Sequence, residues 1–182
     1  MTTAQAHPNI ALVKYWGKQE RSGNLPATPN LSITLAGLTT TTQVTGAAED
    51  TFVLNDATAD DPKLRRWLET LRGSFDIPPL AIHSSNDFPT SAGLASSASG
   101  FAALITAINA HCELGLDHAM CSEWARVGSA SAARSIFGGF VALVPPQWWA
   151  VPMAKKEHWP LEVIVAVTST EAKGVSSGEG ME

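Results

Sequence analysis

LAIHSSNDFPTSAGLASSASGFAALITAINAHC, residues 80–112, decides the fold. Residues 80–85 read as a strand. Phe101, Leu104, Ile105 and Ile108 fall on one stripe, which predicts a helix from about Ser96 to Cys112. Between them lies Pro89-Thr90-Ser91-Ala92-Gly93-Leu94-Ala95-Ser96-Ser97-Ala98, a small-residue loop that follows a strand and opens a helix. Gly93, Leu94 and Ala95 leave room for a phosphate to approach the backbone. Free N–H groups at the helix start, reinforced by the helix dipole, would hold its charge. Ser96 and Ser97 add hydroxyls, and Ser97 is a candidate Mg²⁺ ligand. No Gly-Lys-Ser/Thr follows, so this is not a Walker loop. The competing reading is a tight helix start whose small side chains serve packing alone.

Working outward, residues 31–35 (LSITL) and 38–45 (LTTTTQVT) are rich in β-branched types and flank Ala36-Gly37. They predict two strands joined by a tight turn. Residues 51–54 continue the pattern, and Asn55-Asp56 supplies a turn. Asp61-Pro62 starts a helix, Asp as cap and Pro in the first turn. Leu64, Trp67, Leu68 and Leu71 share one face of it, and Gly73 ends it. A third helix after Asp117 presents Met120, Trp124 and Val127. Residues 139–144 (GFVALV) and 162–168 (EVIVAVT) read as strands buried on both sides. PPQWWAVPM between them reads as a hairpin or edge loop. The order of elements predicts one α+β domain over residues 1–182, a two-layer sheet-and-helix arrangement. The closing GEGME follows a Gly/Ser turn that reads as the lead-in to another helix.

The 182 residues suffice for a core, and 45% hydrophobic with 16% charged is a globular composition. Twelve basic against 17 acidic residues give a net charge of −5, which argues against a nucleic-acid partner. The first 18 residues nevertheless carry Lys14 and Lys18 and no acid. No apolar run approaches the roughly 20 residues that span a bilayer, and the start lacks a signal-peptide layout. Cys112 and Cys121 lack CxxC spacing and read as buried free thiols, and the five histidines show no ligand spacing. A cytoplasmic protein is the expectation.

Two further segments carry candidate chemistry. In Asn9-Ile10-Ala11-Leu12-Val13-Lys14-Tyr15-Trp16-Gly17-Lys18, a first strand could deliver Tyr15 and Lys18 to a phosphate or carboxylate, or the lysines could simply sit in solvent. In Gly128-Ser129-Ala130-Ser131-Ala132-Ala133-Arg134-Ser135, helical spacing puts Ser131 and Arg134 on one side. Arg134 could grip a carboxylate, with small alanines keeping the approach open. Alternatively the segment packs closely on a sheet and Arg134 satisfies carbonyls.

Taken together, NIALVKYWGK, PTSAGLASSASGFAAL and GSASAARSIFGGFV resemble the diphosphomevalonate decarboxylase family of the GHMP kinase superfamily in order and spacing. Asn24-Leu25-Pro26 and the closing Val175-Ser176-Ser177 with Gly180-Met181 are similar to further family landmarks. The resemblance implies a GHMP kinase N-terminal fold like the second domain of ribosomal protein S5, with ATP and Mg²⁺ as partners. It implies phosphorylation of the 3-hydroxyl of mevalonate 5-diphosphate, then loss of phosphate and carbon dioxide to give isopentenyl diphosphate. Lys18 and Arg134 would be the catalytic cations. Tyr15, Lys18, Ser129, Ser131 and Arg134 would bind this anionic substrate, and Gly93 to Ser97 with Ser177 the nucleotide. The family's catalytic aspartate matches no residue here and belongs to a C-terminal domain, so the expected partners are that half or a second copy in a homodimer. Ala130, Gly178 and Ala27-Thr28-Pro29-Asn30 depart from the commoner family pattern. Mevalonate 5-phosphate as substrate, a small-molecule kinase without decarboxylation, and a non-catalytic interaction module are the alternative readings.

Overall fold

The structure, a computed structural model, describes residues 1–90 and 93–166. Nine strands form two sheets. β1 (Thr2–Ala6), β4 (Thr40–Gly46), β7 (Leu80–Asn86), β5 (Thr51–Leu54) and β6 (Ala57–Thr58) form the first, in that spatial order. β2 (Asn9–Val13), β3 (Asn30–Thr34), β8 (Phe140–Leu143) and β9 (Ala150–Ala154) form the second. All pairings are antiparallel except β5 with β7.

The two sheets grow from one bent ribbon. β1 pairs with β4 from Thr2 opposite Val44 to Ala6 opposite Thr40, and β2 pairs with β3 from Asn9 opposite Thr34 to Val13 opposite Leu31. The ribbon breaks where Pro8 meets residues 35–39. Leu35 N–H donates to the Pro8 carbonyl at 2.9 Å, and His7 Nδ1 lies 2.7 Å from the Leu38 carbonyl. The expected hairpin between residues 31–35 and 38–45 is therefore corrected. Both are strands, but each pairs with the N-terminal segment, because the turn at residues 36–37 bends the chain from one sheet to the other instead of folding it back.

Helix α1 (Pro62–Arg72) starts as expected, with Asp61 Oδ1 accepting from Lys63 N–H at 2.8 Å and Leu64 N–H at 3.2 Å. Leu64, Trp67, Leu68 and Leu71 are all buried. Helix α2 (Ser96–His111) is the centre of the domain, and Ala98, Ala102, Ala103 and Ala107 are fully buried along it. Small side chains let α2 lie close on β1 and β4 and against α3 (His118–Gly128). On α3 the expected face is met in part. Trp124 and Val127 pack against the core, Met120 is 41% exposed, and Cys121, Ser122, Ala125, Arg126 and Gly128 are buried. Close packing on α2 and on the 3₁₀ helix Ala130–Ile136 adds small side chains to that face.

Strand β8 is buried throughout, and β9 returns beside it as an edge strand, so the PPQWWAVPM segment forms the expected hairpin. Residues 162–166 are not the expected buried strand. They carry no regular structure, and Ile164 is 90% exposed. They pair with no sheet edge among the described residues, and residues 167–168 lie outside those described. The outer face of the second sheet is also open: Leu12, Val13, Val151 and Met153 are exposed. No described helix is long and apolar enough to cross a membrane.

Gly128 shows how tightly α2 and α3 meet. A Cβ there would overlap the Phe101 ring, with Cε1 and Cγ at 2.6 Å. Phe101 is itself held edge-on against Trp67 at a centroid distance of 5.4 Å. Gly128→Ala is expected to lower stability by about 1–3 kcal/mol, read as a lower midpoint in urea denaturation. An unchanged midpoint would contradict this packing.

Candidate functional site

The small-residue loop passes twice through left-handed backbone before α2. Gly93 has φ +85° and Ala95 has φ +54°. Glycine takes this conformation freely, but at Ala95 it costs about 1–2 kcal/mol. Ala95 offers no side-chain cap to α2, and its carbonyl accepts from Ala98 N–H at 2.8 Å.

A polar ladder holds the start of this loop. Thr90 Oγ1 accepts from Asn55 Nδ2 at 2.9 Å and from Asn86 Nδ2 at 2.8 Å. Asn86 N–H donates to Asn55 Oδ1 at 2.9 Å, and Asn86 Oδ1 accepts from Thr40 Oγ1 at 2.6 Å. Thr40 Oγ1 is also 2.6 Å from Ser99 Oγ on α2. Two strands, the turn after β5 and the helix thus brace the strained loop. Below it opens a cavity of about 230 Å³, with Phe52, Ile82 and Leu104 among its apolar walls and Lys63, Thr90, Ser96 and Ser97 among its polar groups.

Lys63 escaped the sequence reading. The residue is exposed, and its Nζ lies 5.1 Å from the Phe101 ring centroid. Loss of hydration at the amine pulls its pKa below the ordinary lysine range. Asp61 opposes that shift, and Lys18 adds to it. Lys18 itself is exposed.

The second half of the site is the 3₁₀ helix. Ser129 ends α3, with its N–H on the Ala125 carbonyl at 2.9 Å. Its Oγ lies 3.4 Å from Ser97 Oγ and 3.3 Å from Ser131 Oγ, so the three hydroxyls run from the phosphate-loop helix to the 3₁₀ helix. Asn9 Nδ2 then donates to the Ser131 carbonyl at 3.0 Å and to Ser135 Oγ at 2.7 Å.

Arg134 ends this chain of contacts. It is 2% exposed. Its Nε donates to Ser32 Oγ at 2.9 Å, its Nη2 to Asn9 Oδ1 at 3.2 Å and its Nη1 to Asn30 Oδ1. All three acceptors are neutral, and no carboxylate pairs with Arg134 among the described residues. Burial pushes the guanidinium down to about 10, with Tyr15 opposing. Burial likewise raises the Tyr15 phenol, against the pull of Arg134. A buried cation without a counter-charge favours an anion nearby.

One expectation changes here. The alanines beside Arg134 do not keep an approach open: Ala130, Ala132 and Ala133 are buried and pack the 3₁₀ helix down. Ser96 and Ser97 line the 230 Å³ cavity, and Tyr15, Lys18, Ser129, Ser131 and Arg134 stand outside its lining. The asparagines Asn9 and Asn30 carry no chemical signature of their own, and only their contacts with Arg134 mark them. No group of three or more His, Cys, Asp or Glu converges among the described residues, and both cysteines are free. Ser177 lies outside the described residues.

This is an α+β domain in which a small-residue loop with left-handed backbone leads into α2, and hydroxyls run from that helix towards an arginine buried without a carboxylate. Residues 6–147 match the diphosphomevalonate decarboxylase-like N-terminal domain family, and the chain belongs to it. Diphosphomevalonate decarboxylase of Candida albicans is 40% identical over 200 residues, covering 96% of this chain and 55% of that protein. The Saccharomyces cerevisiae protein of that name is 39% identical, covering 96% and 51%. Among solved structures, mevalonate diphosphate decarboxylase from Enterococcus faecalis superposes with TM-score 0.77 at 40% identity, over 84% of this chain and 51% of that one. A structure of MDDEF in complex with MVAPP, AMPPCP and Magnesium gives TM-score 0.77 at 41% identity, over 84% and 50%. The chain spans about half the length of the curated relatives it matches.

Anion binding that depends on Arg134 has a defined pH limit. The folded pKa of about 10 lies below the ordinary arginine range, so the full burial cost is present below pH 10 and is relieved as pH rises above it. Affinity for a carboxylate ligand is expected to hold up to about pH 9 and then fall about tenfold per unit above the folded pKa. Calorimetric titrations across that range check it, and a flat profile to high pH would remove Arg134 from the binding event.

Proposed function

We propose that this chain forms the nucleotide- and acid-binding half of an ATP-dependent decarboxylase acting on mevalonate 5-diphosphate. The observation that carries the reading is the run of hydroxyls Ser97, Ser129 and Ser131 between the open start of α2 and the unpaired Arg134. One end suits a nucleotide's phosphates, and the other suits an acid.

Each residue then has a task. The amides behind Gly93, Leu94 and Ala95 receive phosphate oxygens, and the Ser96 and Ser97 side chains extend that cradle. Ser97 suits a share in Mg²⁺, since this ion keeps several waters and takes only one or two protein ligands beside substrate phosphates. The metal supplies charge neutralisation on the phosphates when bound. Ser129 and Ser131 face the diphosphate side. Lys18 and Tyr15 sit towards the acid's anionic groups, and Arg134 orients the carboxylate and supplies positive potential as charge develops at C3. Phosphorylating the tertiary 3-hydroxyl turns a poor leaving group into a good one, and loss of the adjacent carboxylate provides the electrons of the new double bond. The aspartate expected at that hydroxyl remains assigned to no residue of this chain.

The open outer face around Leu12, Val13, Val151 and Met153 supports a further domain or a second copy completing the cleft. Free Cys112 and Cys121 suit a reducing compartment and support a cytoplasmic setting.

Calorimetry with AMPPCP and Mg²⁺, then with mevalonate 5-diphosphate, tests the proposal. Both are expected to bind the 182-residue chain. Ser97→Ala is expected to weaken the nucleotide about tenfold, and Arg134→Met to weaken the acid by a similar factor. Carbon dioxide release by this chain alone is expected to be negligible. Failure to bind nucleotide would end the reading.

A further inference from the structure

Arg126 is a second buried arginine that this reading does not use. It lies on α3, three residues before Ser129, and is 8% exposed. Its Nε donates to the Trp148 carbonyl at 2.9 Å and its Nη1 to the Gly23 carbonyl. Beside it, Asn24 Nδ2 donates to the Val127 carbonyl. No carboxylate pairs with Arg126 among the described residues. Hence α3 grips the Gly23-Asn24 tip by two bonds, one of them from a desolvated cation. Gly23 fits because its φ is +96° and because a Cβ there would sit 3.1 Å from Arg126 Nη1.

That tip closes a small ring. Gln19 N–H donates to the Leu25 carbonyl at 2.9 Å, and Ala27 N–H to the Gly17 carbonyl at 3.2 Å. Gln19 Nε2 reaches the Pro26 carbonyl at 2.8 Å, and Lys18 stands opposite Pro26 in an isolated bridge. Lys18 therefore belongs to a ring clamped at its far end to α3. Lys18 also stands near enough to Lys63 to depress its pKa. A guanidinium suits this clamp, because its planar fork can reach two carbonyls of separate segments at once.

We propose that Arg126 is a positioning residue: by clamping residues 17–27 to α3, it fixes Lys18 relative to Ser129 and Ser131 for binding of an anionic acid bearing a diphosphate. This rests on the function proposed above and adds to it a residue outside the binding surface. The same helix carries the clamp and runs into the two serines, so the spacing of Lys18 from them is set within one element.

The test uses the 182-residue chain and its Arg126→Met, Arg126→Lys, Asn24→Ala and Lys18→Met variants. Arg126→Met is expected to speed amide exchange in residues 17–27 while leaving α2 protected. It is also expected to weaken mevalonate 5-diphosphate about tenfold and AMPPCP with Mg²⁺ less than about twofold. Arg126→Lys should recover part of the loss. If Arg126→Met fails to fold, Asn24→Ala, which cuts the neighbouring bond and adds left-handed backbone strain at φ +52°, should show the same selectivity at smaller size. In the Lys18→Met background, removing Arg126 should cost no further diphosphate affinity, since both changes act through one amine. Additive losses, equal losses for both ligands, or unchanged exchange in residues 17–27 would overturn the proposal. If the parent chain binds no diphosphate, the functional reading fails separately, and amide exchange still decides whether Arg126 holds the ring.

Discussion

A guanidinium buried without a carboxylate is the constraint around which this domain is arranged. Arg134 takes one acceptor from each of Asn9 at the start of β2, Asn30 at the start of β3 and Ser32 within β3. Those bonds join the 3₁₀ helix to the second sheet. Removing a charged group from water is costly, and neutral acceptors compensate only in part. The polar residues inside β3 are therefore not errors of pattern. They are what allows a cation to stand 2% exposed beneath the 3₁₀ helix. The field of that cation extends past the hydroxyls of Ser131 and Ser129 towards the start of α2, whose own dipole has the same sign. Both ends of the site thus call for negative charge, in a chain whose net charge is −5.

Much of the architecture was legible because local chemistry and tertiary packing agree. Asp61, Pro62 and the Leu64, Trp67, Leu68 and Leu71 stripe carry α1 by themselves, and every member of that stripe is buried. The strand, loop and helix of residues 80–111 follow the same logic. Reading failed where partners lie far off in sequence. Nothing in LSITL and LTTTTQVT says that each will pair with the N-terminus and not with its neighbour; the bend at Pro8 decides that. On α3, Trp124 and Val127 face inward as their size suggests, but Met120 does not, and backbone proximity to α2 brings Ala125 and Gly128 inside as well. The apolar run at residues 162–166 shows that hydrophobicity alone does not make a strand when no edge receives it.

The site divided in the same way. Gly93 to Ser97 announce themselves through small size and hydroxyls. Lys18, Ser129, Ser131 and Arg134 were singled out by residue type, but their depth was not. Arg134 looked accessible among alanines and is enclosed, because small residues close distances as readily as they open them. Lys63, Asn86 and Thr90 were missed because each is ordinary in sequence. A lysine on an amphipathic helix and an asparagine ending a strand acquire meaning only when the cavity and the ladder bring them together.

The long reach of the Arg134 contacts bears on the order in which a growing polypeptide acquires its chemistry. Asn9 emerges 125 residues before its arginine partner, whereas the small-residue loop, α2 and the strands beneath them are finished well before residue 130. A chain stopped at that stage would lack both the 3₁₀ helix that packs on α2 and the arginine that ties it to the second sheet. Closing so long a loop costs more chain entropy than forming a local helix, so this tie is a late event in folding.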